Sequence, residues 1–242
     1  MNIWIIRRLG KALIARWRQE GCLKFLFTAI WSLRVLAHLR DIKALLQLDL
    51  YRNCVCVAAN ENTFHFLSQR TYLVAGLSAS NRLQCVLSHY LFEEATFGPQ
   101  YWSKVYLEEG ICLWSQEAGE TLFAVVLKIA PRWHLEGELS LTFYTNEICL
   151  HAVSFNWITG SLIGAPQQTL PLIARNPGRG FDSEQAFAAF NLVFPNNSPS
   201  FFCFAAMQGL TLAVGLNSIA GVKASFKPPY LQRKSKNRLQ RL

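Results

Sequence analysis

The chain is short of charge, of long apolar runs and of any paired cysteine framework, and each shortage excludes something. Charged residues make up only 16% of the 242, against 51% hydrophobic, with Phe at 17 and Trp at 7. A disordered, solvating protein is thereby excluded, and a packed interior is expected. The longest apolar stretches run from Phe25 to Trp31 and from Pro199 to Leu216, and the second is broken by Gln208, Gly209 and Gly215. Neither reaches the roughly 20 uninterrupted residues of a membrane span. Gly-x-Ser-x-Gly, P-loop, His-Glu-x-x-His and EF-hand patterns are all missing, which removes the enzyme classes they mark. The 7 cysteines are odd in number and mostly lie in apolar runs such as Phe201-Phe202-Cys203-Phe204. They read as buried thiols of a reducing compartment. Cys54-Val55-Cys56 is the one close pair, and without a second Cys or His pair nearby no metal site is expected. Arg7 and Arg8 interrupt the first apolar run and no small-residue cleavage site follows, so a cytoplasmic location is expected.

The net charge of +9 is unevenly spread. Residues 1–52 carry Arg7, Arg8, Lys11, Arg16, Arg18, Lys24, Arg34, Arg40, Lys43 and Arg52 against Glu20, Asp41 and Asp49. The tail carries Lys223, Lys227, Arg233, Lys234, Lys236, Arg238 and Arg241 with no acid, whereas residues 53–222 hold more acids than bases. Three parts follow: a basic helical segment over 1–52, one α+β core over 53–222 and a basic tail over 223–242. Basic ends on a weakly acidic core point to an anionic contact, a membrane surface or nucleic acid; the plainer alternative is a solvated basic face and a frayed tail. Ile3, Ile6, Leu13 and Trp17 share one helical face while Arg7, Lys11 and Arg18 lie elsewhere, the pattern of a basic amphipathic helix. Arg7, Arg8, Lys11, Arg16 and Arg18 are the candidate contacts with anionic lipid, in a peripheral association with the inner membrane. No RNA-binding aromatic signature accompanies the basic runs, so nucleic acid is the weakest partner reading.

Residues 22–50 read as one or two helices and Asn60 to Gly76 as irregular. Asn81-x-x-Gln84 then offers a helix start, with Leu83, Val86, Leu87, Tyr90 and Leu91 at the 3.6 period and an end near Gly98-Pro99. From Ile111 the period becomes that of strands. Ile111 to Gln116 and Thr121 to Ile129 flank the turn Glu117-Ala118-Gly119-Glu120, Glu138 to Thr145 alternates, and Ile148 to Trp157 follows a short turn at Asn146. Ser161 to Ala165 reads as another strand and Pro166 to Gly180 as a loop. An antiparallel meander is expected. Asp182 or Ser183, with Gln185 for reciprocal capping, starts a helix containing Phe187 and Phe190. Ser198, Pro199 and Gly215 bracket a second helix, apolar almost all round and therefore expected to be buried, and Ser218 to Lys223 reads as a closing strand.

Several phrases resemble the VirK/YbjX family of proteobacteria. They are Arg70-Thr71-Tyr72-Leu73, Ser88-His89-Tyr90, Glu136-Gly137-Glu138-Leu139-Ser140-Leu141, Ser154-Phe155, Ile163-Gly164 and Ala205 to Gly215, in that order over roughly residues 20–225. The resemblance is nearest to the plasmid-encoded VirK branch of Gram-negative enteric pathogens. It implies a virulence-associated accessory factor that affects the cell envelope or the production or display of a surface protein, through an unidentified protein partner and with no catalytic residue to carry over. Relatives usually continue past the basic stretch into an acidic, aromatic closing segment, so what the resemblance implies for a chain ending at Leu242 is a truncated or frame-shifted copy.

For chemistry, His89 flanks the apolar stripe and is a candidate general base, although a core histidine bonded to a backbone carbonyl is the plainer reading. His151, inside an apolar strand, is another catalytic candidate, although satisfying a cross-strand partner is the plainer reading. Glu136 and Glu138 project from one strand face as a candidate carboxylate pair, but Gly137 between them suggests a strand entry with both carboxylates in water. Arg175-Asn176-Pro177-Gly178-Arg179-Gly180 precedes a helix, where glycines let the backbone approach a phosphate that the helix N-terminus and Arg179 would stabilise. The spacing of Arg175, Gly178, Arg179 and Gly180 resembles the pyrophosphate loop of GCN5-related acyltransferases. That resemblance implies a GCN5-acyltransferase-like core and acyl-coenzyme A as cofactor; the plainer reading is a solvent loop and no cofactor.

Overall fold

Alternation in the middle of the chain becomes a single sheet. The computed structural model describes residues 37–58, 72–74, 76–130, 137–166, 168–175 and 183–223. Within them β1 (Ile111–Ala118), β2 (Thr121–Ile129), β3 (Leu139–Thr145), β4 (Ile148–Thr159), β5 (Thr169–Arg175) and β6 (Ala220–Gly221) lie side by side in chain order. Strands β1 to β5 are antiparallel neighbours, and β6 joins β5 in parallel. The turns act locally. Gly119 takes φ +61 between β1 and β2, and Asn146 takes φ +52 between β3 and β4, where its Oδ1 also accepts the Leu122 N–H at 2.8 Å.

Helices cover this sheet. Leu39–Gln47 forms α1, which buries Ile42, Leu45 and Leu46 and runs on to a π-helical turn at Tyr51–Val55. The long helix α2 spans Ala79–Thr96 and packs against β4. Its start differs slightly from the sequence expectation, because Ser78 is the cap and its Oγ accepts the Asn81 N–H at 3.1 Å. The expected basic amphipathic helix over 3–17 lies outside the described residues.

After β5 come α3 (Glu184–Val193) and α4 (Pro199–Ala213). Phe190 of α3, Phe194 at its C-terminal cap and Phe202 of α4 meet Trp114, Phe123 and Phe143 of the sheet, with ring centroids 5.0–6.4 Å apart. This aromatic cluster locks the two helices to β1, β2 and β3.

Three expectations are corrected. Ser161 to Ala165 is no strand: Gly160–Ile163 is a 3₁₀ turn closed by Gly164 at φ +74. The loop expected from Pro166 to Gly180 contains β5, whose Leu170, Leu172 and Ala174 alternate into the core beneath the misleading Pro166 and Pro171. The third concerns α4. Ser198, Pro199 and Gly215 bracket it as expected, with Ser198 Oγ accepting the Phe201 N–H at 3.3 Å, but only Pro199, Cys203, Met207 and Thr211 are buried. Its other face is in solvent. Among the described residues no helix is long and apolar enough to cross a membrane.

Candidate functional site

The site grows from a gap in the sheet. β3 ends its pairing with β4 at Leu139 opposite Phe155, while the second half of β4 pairs with β5 and sets Trp157 opposite Pro171. Past the end of β3 the Trp157 N–H finds no strand acceptor and goes to His89 Nδ1 of α2 at 3.2 Å. A neutral imidazole that accepts at Nδ1 carries its proton on Nε2, which faces Tyr106 Oη at 3.3 Å. Tyr106 then donates to Glu93 Oε2 at 3.3 Å. Glu93 Oε1 accepts from Trp157 Nε1 at 2.6 Å and from Tyr101 Oη at 3.4 Å. One buried carboxylate thus gathers donors from β4, from the helical turn Pro99–Trp102 and from the π-helical turn Ser103–Leu107.

A second carboxylate lies beside this chain. Glu138, just ahead of β3, accepts Tyr72 Oη and Tyr90 Oη, each at 2.5 Å. Its own N–H donates to Asn156 Oδ1 at 2.8 Å, and Asn156 Nδ2 donates to Tyr72 Oη at 3.1 Å. The two groups touch through aromatic edges, with the Tyr90 ring 4.7 Å from that of His89 and 6.2 Å from that of Tyr106. Gly137 makes the approach to β4 feasible, since a Cβ there would stand 2.9 Å from the Phe155 nitrogen.

Burial dominates the electrostatics. Desolvation pushes Glu93 from 4.5 up to about 8, and the bonds from Trp157, Tyr101 and Tyr106 pull the other way. It drives His89 down to about 4, opposed by the Glu138 charge. Tyr72, Tyr90 and Tyr106 are held well above the ordinary tyrosine value by burial and then by the neighbouring carboxylates. Such an arrangement ties α2 to β4 through buried polar groups. His89, Tyr90 and Glu93 are fully buried, and Tyr101 is the partly exposed member at the rim.

Sequence reasoning placed His89 in the core with the wrong backbone partner, and it misjudged the surroundings of Glu138. His89 bonds a backbone amide rather than a carbonyl, because its Nδ1 fills the place of an acceptor strand. Glu138 is 4% exposed rather than in water, because Gly137 carries it against β4. His151 is buried opposite Phe143 on β4 and is not joined to these groups by the bonds above. Glu136, Gly178, Arg179, Gly180, Arg7, Arg8, Lys11, Arg16 and Arg18 lie outside the described residues, and Arg175 is described only as the backbone that ends β5 opposite Ser154. Glu93 was missed although a signal existed: it is the next position of the stripe Leu83, Val86, Tyr90. Among the described residues no group of three His, Cys, Asp or Glu side chains is placed to hold a metal ion.

The family model described as a protein of unknown function, DUF535, matches residues 20–169, and this is the VirK/YbjX family. The match takes in His89, Glu93 and Glu138 and stops at the start of β5. No curated protein and no solved structure matches the chain.

Proposed function

The chain belongs to the DUF535 family, and we propose that it is an acyl-coenzyme A-dependent transferase serving the bacterial envelope, with the coenzyme diphosphate held at Arg175, Gly178, Arg179 and Gly180. One observation carries the reading: β5, α3, α4 and β6 form a crossover in which β6 returns parallel to β5, the one parallel pair among the described residues. Parallel strands joined through helices open a crevice at their carboxyl ends, where phosphate ligands meet a helix N-terminus. In sequence, the Arg/Gly phrase follows the carboxyl end of β5 and precedes α3. Backbone N–H groups of Gly178 and Gly180 and the Arg179 guanidinium are the donors assigned to the diphosphate.

Calorimetry with millimolar coenzyme A and acetyl-coenzyme A tests this. Binding by the unaltered chain, abolished by Gly180→Val and weakened by Arg179→Ala, is the expected result. Absence of any heat of binding removes the transferase reading.

A second reading is favoured by a different observation. The hydrogen bonds of His89 and Glu138 described above are all internal, which suits a scaffold without chemistry of its own. On that reading the protein is a virulence-associated accessory factor that binds an envelope or surface protein, as the family resemblance implies. A chain that binds no coenzyme A yet keeps its cellular effect after Arg179→Ala supports it.

A further inference from the structure

We propose that the exposed face of α4 is a lipid-docking surface that lies in the plane of an anionic bilayer. A helix apolar on all sides is normally covered on all sides. In α4 the buried side is Cys203, Met207 and Thr211, whereas Phe201 is 61% exposed, Phe204 42% and Leu212 67%. These three fall on one face, which also carries Ala205 and Gly209. Residues 199–213 contain no charged side chain, and Gln208 is the polar member of the exposed face.

Charge selects the occupant. After α4 the chain passes Gly215 and β6 and then carries only positive charge, from the exposed Lys223 through Lys227, Arg233, Lys234, Lys236, Arg238 and Arg241. An apolar face followed by a basic-only segment matches a leaflet with anionic headgroups, which supplies acyl chains for Phe201, Phe204 and Leu212 and negative charge for the tail. A second copy brings the same uncharged face together with a basic tail of its own. At 15 residues α4 is too short to cross the hydrocarbon and lies along its boundary. None of this rests on the coenzyme A reading.

The test uses the full chain and vesicles of phosphatidylglycerol with phosphatidylcholine, compared with phosphatidylcholine alone. Cosedimentation is expected with the anionic vesicles, and the double variant Phe201→Gln, Leu212→Gln is expected to lower partitioning roughly tenfold or more. Both positions are exposed, so the melting temperature by circular dichroism should stay within a few degrees, and that second measurement separates lost docking from lost folding. Unchanged partitioning of a folded double variant overturns the proposal and leaves lipid contact to charge alone. A concentration-dependent dimer that the double variant abolishes, with no vesicle binding by the unaltered chain, overturns it in favour of a second copy.

Discussion

His89 Nδ1 of α2 accepts the backbone N–H of Trp157 in β4 at 3.2 Å, so a helix side chain serves where the sheet has run out of strand. The same Trp157 returns the contact one turn along α2, its indole N–H donating to Glu93 at 2.6 Å. Helix and strand are pinned at two points by residues four apart on the helix, which is the spacing that puts both on one face.

Replacing His89 therefore strands a buried donor. His89→Leu is expected to cost about 1–3 kcal/mol in urea unfolding and to speed hydrogen exchange at the Trp157 amide, while His89→Asn, which keeps an acceptor, recovers part of the loss. An unchanged Trp157 exchange rate in His89→Leu would show that the bond does not hold the strand.

Stability should depend on pH through Glu93. Its folded value of about 8 lies above its ordinary 4.5, so the stability it contributes is complete below 4.5 and is lost as pH rises toward 8. His89 acts in the opposite sense: its folded value of about 4 lies below 6.5, so its contribution is complete above 6.5 and is lost as pH falls toward 4. Between those ordinary values the two nearly cancel, and from 6.5 to 8 the Glu93 loss stands alone. Unfolding free energy is expected to fall on the order of 2 kcal/mol across that upper window. Glu93→Gln should flatten the fall, and a profile identical to the unaltered protein refutes the assignment.

Glu138 holds two tyrosine hydroxyls, and Gly137 lets it reach them. Glu138→Leu should destabilise by about 2–4 kcal/mol by leaving Tyr72 and Tyr90 without their acceptor, with Glu138→Gln costing less. Gly137→Ala forces a Cβ to 2.9 Å from the Phe155 nitrogen and is expected to cost about 1–3 kcal/mol, read from the denaturant midpoint. A neutral Gly137→Ala would contradict the close approach.

Cysteine labelling should divide the thiols in a way the sequence did not foresee. Cys54, Cys56, Cys85 and Cys203 are buried, with burial pushing Cys85 and Cys203 up to about 12, whereas Cys112 and Cys149 are exposed despite their apolar neighbours. Alkylation of the native protein is expected to reach Cys112 and Cys149 within minutes and the other four only on unfolding. Rapid native labelling of Cys85 would count against the packing of α2.

Local chemistry carried much of the architecture. The caps of α4, the turns at Gly119 and Asn146 and the β-branched and aromatic composition of β1 to β4 depend on residues within a few positions of each other, and these were legible in the chain. Strand β5 was hidden because Pro171 normally breaks a ladder, and only the pairing with β4, which sets Pro171 opposite Trp157, shows it as a strand. The surroundings of the buried carboxylates were not legible at all. Glu138 receives Tyr72 and Tyr90 from 66 and 48 positions away, and Glu93 receives Trp157 from 64.

Sequence alone determined the α+β class, the places of α2, α3, α4 and β1 to β4 and the uneven charge, since periodicity, turn chemistry and composition act over short range. Tertiary structure decided which polar groups are dry and which apolar groups are wet. A carboxylate on a stripe of Leu and Val, or a Phe on a helix apolar all round, has no environment until distant strands and helices either close over it or leave it open.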